Sequence, residues 1–235
     1  MERMNLEQIG RMRLMILPGC PGPEYSNVKW QKFAYEYWKN YWQSLLDQIS
    51  PGEKLNPEHF FDQTAVNVIL DGLNVVAMQS IKFYDLRCGL RDHSVFAPFS
   101  SDFWKALSDR GIETVFTFRW FRVDEAYGPR KTGVNFSAIS NELMHRVFDT
   151  HAAPALAGVA HSRVDVAAAS VAKKIGWIEA AERQVLHGVP CAQLALFNGA
   201  RIKYEDETVN QAADLLWAKR ESFIEEVPDV RSRAA

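Results

Sequence analysis

The stretch from Val115 to Phe148 constrains the fold of this 235-residue chain more than any other part of it. It begins as an apolar strand over Val115–Val123, passes through the polar turn Arg130–Asn135, and continues as an amphipathic helix. Backbone amides at a helix start, with Arg130 and Lys131 beside them, are suited to bind the oxygens of a phosphorylated ligand. The pattern therefore predicts a strand, an anion-binding turn and a helix in direct succession.

The turn itself contains Gly133, which can take backbone angles that other residues avoid. A solvated turn followed by a helix start is the alternative interpretation, because Arg-x-x-Gly occurs by chance in many chains. The order of strand, turn and helix around it favours phosphate binding over that alternative.

Composition excludes several classes of protein. A formal charge of −2 argues against a nucleic-acid binder that relies on overall basicity. The three cysteines, Cys20, Cys88 and Cys191, are far apart and form no metal-ligand or redox pair, so reduced thiols in a cytoplasmic protein are expected. No apolar run approaches the length of a bilayer span, and the N-terminus lacks a signal-peptide core. We expect a cytoplasmic protein with no metal site, no membrane span and no nucleic-acid partner.

A turn-dense break at Pro18–Pro23 predicts an N-terminal leader segment, 1–24, followed by a single domain over 25–235. Apolar residues spaced by three and four over Trp30–Ile49 predict one helix with an unusually aromatic face. Two interpretations of that face stay open: it walls an apolar ligand pocket, or it packs on the sheet.

The rest of the chain mixes strands and helices, which predicts an α/β or α+β domain around a partly antiparallel sheet. The expected elements are a hairpin of strands Ala65–Leu70 and Leu73–Tyr84 around Asp71-Gly72, a helix capped at Ser100, a small-residue strand Ala155–Ala160, a helix Val164–Ile175 ended by Gly176, strands Trp177–Leu186 and Cys191–Phe197, and a helix Thr208–Phe223.

With these elements in order, the chain resembles the GCN5-related N-acetyltransferase superfamily. The Asp71-Gly72 hairpin precedes the central strand, as in that family. The turn Arg130–Asn135 is similar to the family's pyrophosphate loop, Arg/Gln-x-x-Gly-x-Gly/Ala, and Val164–Trp177 resembles its late helix, which ends in a Gly-aromatic pair. The resemblance spans about Ala65–Phe197 and implies a mixed, largely antiparallel central sheet flanked by helices.

Two residues depart from the family pattern. Asn135 stands where the loop usually has Gly or Ala, so close approach of the backbone to a phosphate is less favoured. Ala172 stands where many relatives have the Tyr that protonates the leaving thiolate. Both departures favour an alternative function, a catalytically inactive protein of this fold that binds or regulates. A weaker alternative is an interaction module whose basic turn binds an unrelated anion.

The resemblance implies an enzyme that moves an acyl group from acyl-CoA or acyl-carrier protein to an amine of a small molecule by direct attack. In the family, main-chain groups of the central strand bind the pantetheine arm and the loop binds the diphosphate. The implied donor-binding residues are Phe121, Val123, Arg130, Lys131, Thr132, Gly133, Val134 and Asn135.

The acceptor amine must be neutral to attack, so a base has to take its proton. The candidates are His161, which titrates near neutrality, and the carboxylates Asp124 and Glu125 at the end of the central strand. An ordinary hydrogen-bonded histidine and two solvated loop carboxylates are the alternative interpretations.

A fainter likeness within the superfamily is to the acyl-homoserine-lactone and long-chain N-acyl amino acid synthases. Those enzymes have an aromatic N-terminal helix and an acidic segment before the hairpin. The helix Trp30–Ile49 and the segment Glu58–Asp62 occupy corresponding places here. This branch implies an N-acyl amino acid product, while acyl length, the identity of the amine and the oligomeric state stay open.

Overall fold

The structure is a computed structural model that describes residues 4–22, 28–88, 96–151, 157–166, 168–186, 188–197, 200 and 202–224. Its helices are α1 (Leu6–Gly10), α2 (Val28–Ile49), α3 (Glu58–Phe61), α4 (Ser101–Ser108), α5 (Pro129–Thr132), α6 (Phe136–His151), α7 (Ala168–Lys173) and α8 (Glu207–Ala218). Its strands are β1 (Arg13–Leu17), β2 (Ala65–Asp71), β3 (Asn74–Asp85), β4 (Thr114–Val123), β5 (Ala157–Arg163), β6 (Ile178–Leu186), β7 (Val189–Phe197) and β8 (Glu221–Ser222).

Within the described residues the eight strands form one sheet in the order β6-β7-β5-β4-β3-β2-β1-β8. The pairs β1/β2, β2/β3, β5/β7 and β6/β7 are antiparallel, whereas β4/β5 and β1/β8 are parallel. The prediction of a mixed, largely antiparallel sheet flanked by helices is confirmed.

The chain divides into two compact units. The first comprises Met1–Lys82, Trp120–His151 and Tyr204–Glu226, and the second Phe83–Arg119, Ala152–Lys203 and Val227–Ala235. In the first unit, α2 packs its buried Ala34 and Trp38 against apolar residues of β1, β2 and β3. The core of the second unit joins α4 to apolar residues of β4, β5 and β7.

The N-terminal segment contributes more structure than its turn-rich end indicates. Part of it forms α1 and β1, and β1 lies between β2 and β8 in the sheet. Residues 23–27, which include the end of the predicted break at Pro18–Pro23, lie outside the described residues. The division into 1–24 and 25–235 stays a prediction.

Two predicted helices are shorter than their sequences indicate. Over Val164–Val166 the chain is bent rather than helical, because the Val164 amide donates to the Pro190 carbonyl (3.1 Å) and extends the contact with β7. Residue 167 and the first two residues of the predicted strand Ala155–Ala160 lie outside the described residues. The last helix ends at Ala218, and the chain then forms β8, where the Phe223 amide donates to the Ile16 carbonyl (2.8 Å).

The central strand β4 contains an irregularity at Trp120, whose φ is +54°. A left-handed residue interrupts the alternation of side chains along a strand. Trp120 is half-buried and packs against the core beneath α2, whereas Phe116 and Phe118 in the same strand are buried.

Candidate functional site

The turn between β4 and α6 is a short helix closed by a glycine. The Gly133 amide donates to the Pro129 carbonyl (2.9 Å) with φ at +73°, so Gly133 ends α5 in the left-handed conformation that favours glycine. The buried Thr132 hydroxyl oxygen accepts from the Val134 amide (3.2 Å). The Asn135 side chain then caps α6 by accepting from the Ala138 amide (3.1 Å).

Several amides of this turn are engaged within the protein. Those of Lys131 and Thr132 donate to the Gly128 carbonyl (2.9 and 3.1 Å), and those of Gly133 and Val134 donate as described above. Among the described residues, no protein acceptor receives the amides of the next three residues, Asn135, Phe136 and Ser137. The available backbone donors thus lie at the N-terminus of the sixteen-residue helix α6, where the helix dipole favours an anion.

The side chains of the turn divide into a buried and an exposed set. Thr132 and Val134 are buried and shape the turn. Arg130, Lys131 and Asn135 are exposed, and within the described residues neither Arg130 nor Lys131 forms an ion pair. Two exposed cationic side chains therefore belong to the turn that leads to the open amides.

Strands β4 and β5 pair in parallel over only three residues each, Val115–Thr117 against Ala157–Val159. Beyond these pairs, β5 continues in register with β7 as far as Arg163, and β4 continues to Val123. Phe121 and Val123 are half-buried and lie in this distal part of β4.

The carboxylates after β4 have different environments. One Asp124 oxygen accepts from the Ala126 amide (2.9 Å), and the other lies 3.5 Å from the Tyr37 hydroxyl. Burial and the nearby Asp124 raise the pKa of Tyr37 to about 12, so the phenol keeps its proton. Glu125 is exposed and lies 3.3 Å from an Arg122 nitrogen. Asp124 thus serves as a cap, whereas Glu125 is open to solvent.

Sequence analysis did not single out Arg122. Its guanidinium lies over the Tyr41 ring, 4.0 Å from the centroid, and its buried Nε has no hydrogen-bond partner among the described residues. A buried guanidinium N–H is a strong donor that is costly to leave unused. The strand contains a second arginine, Arg119, so the sequence alone had no signal that separates Arg122 from it.

Aromatic rings surround Trp120 in the first unit. The rings of Trp38, Trp42 and His59 lie 5.4, 5.0 and 5.7 Å from it, and the first two are edge-on. Trp38 is buried and belongs to the core, whereas Trp42 and Trp120 are half-buried. The aromatic face of α2 is therefore core at Trp38 and partly accessible at Trp42.

His161 lies in the second unit, within β5 rather than after it as predicted. Its buried Nε2 has no hydrogen-bond partner in the described residues, its other ring nitrogen hydrogen-bonds to the Pro98 carbonyl, and the Phe99 ring centroid is 3.8 Å away. Burial, with a smaller contribution from Arg119, lowers the pKa of His161 to about 4 against the opposite effect of the Pro98 carbonyl. The ring is neutral at pH 7, and its hydrogen bonding assigns the free lone pair to Nε2.

None of the helices in the described ranges is both long and apolar enough to cross a membrane. In the same ranges no group of three or more His, Cys, Asp or Glu side chains is arranged to hold a metal ion. Cys20, Cys88 and Cys191 form no disulfide, and burial raises the pKa of Cys191.

No protein-family model and no curated protein matches the sequence. Solved structures do match. A CoA-dependent acyl-homoserine lactone synthase, BjaI, solved with SAM and isopentyl-CoA, aligns over 95% of this chain and 98% of its own at TM-score 0.55 and 9% identity. FeeM, an N-acyl amino acid synthase from uncultured soil microbes, aligns over 80% and 92% at TM-score 0.51 and 13% identity. A Drosophila melanogaster polyamine N-acetyltransferase aligns over 79% and 99% at TM-score 0.53 and 9% identity.

At these low identities the likeness concerns the fold. The chain therefore has the fold of the GCN5-related N-acetyltransferases, as its sequence pattern predicted.

Proposed function

We propose that this protein is an N-acyltransferase that moves an acyl group from acyl-CoA or acyl-carrier protein to an amine of a small molecule. The observation that carries the proposal is the set of open amides at the N-terminus of α6 beside Arg130 and Lys131. The fold supports it, because solved structures of the same fold include a CoA-dependent synthase and N-acetyltransferases.

The donor would be bound at two places in the first unit. The amides of Asn135–Ser137 donate to phosphate oxygens, and Arg130 and Lys131 supply compensating charge. Main-chain groups around Phe121 and Val123, in the part of β4 beyond its pairs with β5, bind the pantetheine arm. Thr132, Gly133 and Val134 act by shaping the turn, because their own amides donate within the protein.

The reaction is direct acyl transfer. The lone pair of a neutral amine attacks the thioester carbonyl carbon, the C–S bond breaks, the thiolate leaves, and a base takes the amine proton. Ala172 supplies no acid to the thiolate, so solvent protonates it. The three candidate bases differ in suitability, since Asp124 is engaged as a cap and Glu125 lies near Arg122. His161 has a free lone pair on Nε2, but a pKa of about 4 makes it a weak acceptor for the amine proton, so its role as the base stays a prediction.

A thiol-release assay with acyl-CoA donors of several chain lengths and a mixture of amines tests the proposal. We expect release of free CoA that depends on the amine and formation of an N-acyl product by mass spectrometry. A protein of this fold that only binds or regulates would bind the donor and release no CoA. If CoA does not bind at millimolar concentration, acyl-carrier protein is the remaining donor. Absence of turnover with that donor as well excludes the proposed acyltransferase activity.

The cytoplasmic location stays a prediction.

The double variant Arg130→Ala/Lys131→Ala tests the donor site. We expect the KM for acyl-CoA to rise about 10- to 30-fold with little change in kcat, because charge-assisted contacts to phosphate contribute about 1 kcal/mol each at exposed positions. The matched control is Lys54→Ala/Lys203→Ala, which removes the same charge at exposed sites elsewhere. An equal rise in both double variants would assign the effect to net charge and not to the turn.

The finer proposal is that the acceptor is an amino acid whose carboxylate is bound by Arg122. A partly buried guanidinium with an unused Nε–H suits a carboxylate. We expect Arg122→Gln to raise the KM for an amino acid about tenfold, the loss of roughly 1.4 kcal/mol, and to leave the KM for the corresponding decarboxylated amine unchanged. An equal rise in KM for the two acceptors would show that Arg122 does not bind the carboxylate.

A further inference from the structure

We propose that Tyr127 is a positioning residue that ties the turn of the β2–β3 hairpin to the N-terminus of α6 and so holds the open amides in place for the donor. This inference rests on the proposed function and adds to it a residue that touches neither donor nor acceptor. Tyr127 ends the short 3-10 helix Glu125–Tyr127, which joins β4 to α5.

The Tyr127 side chain contacts the β2–β3 hairpin through its hydroxyl, which bonds to Asp71 and to the Asn74 side chain, and α6 through its ring. Its hydroxyl donates to the carboxylate of Asp71, the last residue of β2, at 3.0 Å. Its ring meets the Phe136 ring edge-on, with centroids 6.0 Å apart and planes at 89°. Phe136 is fully buried and is the first residue of α6, so its amide is one of the three open donors.

The backbone around Tyr127 connects the same elements. The Asp124 amide donates to the Val76 carbonyl in β3 (2.9 Å), and the Tyr127 amide donates to the Asp124 carbonyl (2.9 Å). The next residue, Gly128, supplies the carbonyl that accepts from two amides of α5. Tyr127 therefore lies in the segment that connects the hairpin to the start of α6.

The hydroxyl keeps its proton over the working pH range. Burial, followed by the hydrogen bond to Asp71 and its negative charge, raises the pKa of Tyr127 to about 12. The link to the hairpin is thus a permanent donor–acceptor pair. The ring contact with Phe136 is independent of it and persists when only the hydroxyl is removed.

Variants of the pair test the inference. We expect Tyr127→Phe and Asp71→Ala each to raise the KM for the acyl donor about threefold, with kcat and the KM for the acceptor unchanged. The double variant should be no worse than Tyr127→Phe alone, because that variant already removes the hydrogen bond to Asp71. Asp71→Asn keeps an acceptor oxygen and should retain most of the wild-type KM. Tyr127→Leu, which also removes the ring contact, should raise the donor KM about tenfold.

Circular dichroism and the thermal midpoint show that each variant is folded at the assay temperature. Additive effects of Tyr127→Phe and Asp71→Ala, or a lower thermal midpoint with an unchanged donor KM, would overturn the positioning role. If the wild-type protein itself neither binds nor uses a donor, the proposed function fails instead. The two failures are therefore distinguishable.

Discussion

Replacing Gly176 with alanine lowers the free energy of unfolding by about 4 kcal/mol. Gly176 has φ at +100°, and an added Cβ would clash with the Ala200 carbonyl oxygen. That oxygen belongs to a backbone segment held by hydrogen bonds, because the Ala200 amide donates to Phe197 and the Ile202 amide to Ile175. The variant therefore combines left-handed strain with a clash against the Ala200 carbonyl.

Gly188 provides the matched control. It also has a positive φ, +75°, but an added Cβ would meet nothing within 4 Å. We expect Gly188→Ala to cost about 1 kcal/mol, the backbone strain alone. Urea denaturation of both variants measures the difference, and equal costs would mean that the Ala200 loop moves aside for the methyl group.

Acidification destabilises the protein through His161, with a predicted loss of about 3 kcal/mol between pH 7.5 and pH 4. The folded-state pKa is about 4, below the ordinary value of 6.5, so the unfolded chain binds a proton that the folded protein rejects. This contribution to stability is fully present above pH 6.5 and is lost as the pH falls toward 4. The cause is burial of a ring whose charged form would lie near Arg119.

Urea denaturation of the wild type and His161→Gln at pH 7.5, 5.5 and 4.0 tests this prediction. Glutamine does not titrate, so subtracting the two curves isolates the contribution of His161 from that of all other groups. We expect the wild type to lose about 3 kcal/mol more than the variant over that range. Parallel curves would show that the ring is charged, or open to water, in the folded protein.

Local patterns were sufficient to predict the elements that carry the proposed donor site. The hairpin at Asp71-Gly72, the strand ending at Val123 and the helix starting at Phe136 all have signals in neighbouring residues. The same is true of Gly176, which takes a positive φ where a residue ending a helix was expected. Turn chemistry and periodicity act over a few residues, so a single sequence is enough to read them.

Other features depend on distant partners and had no local signal. Strands β1 and β8 are five and two residues long, and each is defined by its neighbours in the sheet. The left-handed Trp120 is a bulky residue whose φ no propensity predicts. The donor site also differs from the one predicted from the sequence. The amides of Gly133 and Val134 donate within the turn, and the open donors lie in the next three residues.

The parallel contact of β1 with β8 has a consequence for the order in which the protein is made. Arg13 and Glu221, which are 208 positions apart, form a two-pronged ion pair at that contact, with nitrogen–oxygen distances of 2.8 and 2.9 Å. Closing so large a loop costs entropy that short-range contacts do not, and a ribosome delivers residue 13 long before residue 221. The first unit therefore completes its sheet only after residue 221 has been made, and until then the outer edge of β1 lacks its partner strand.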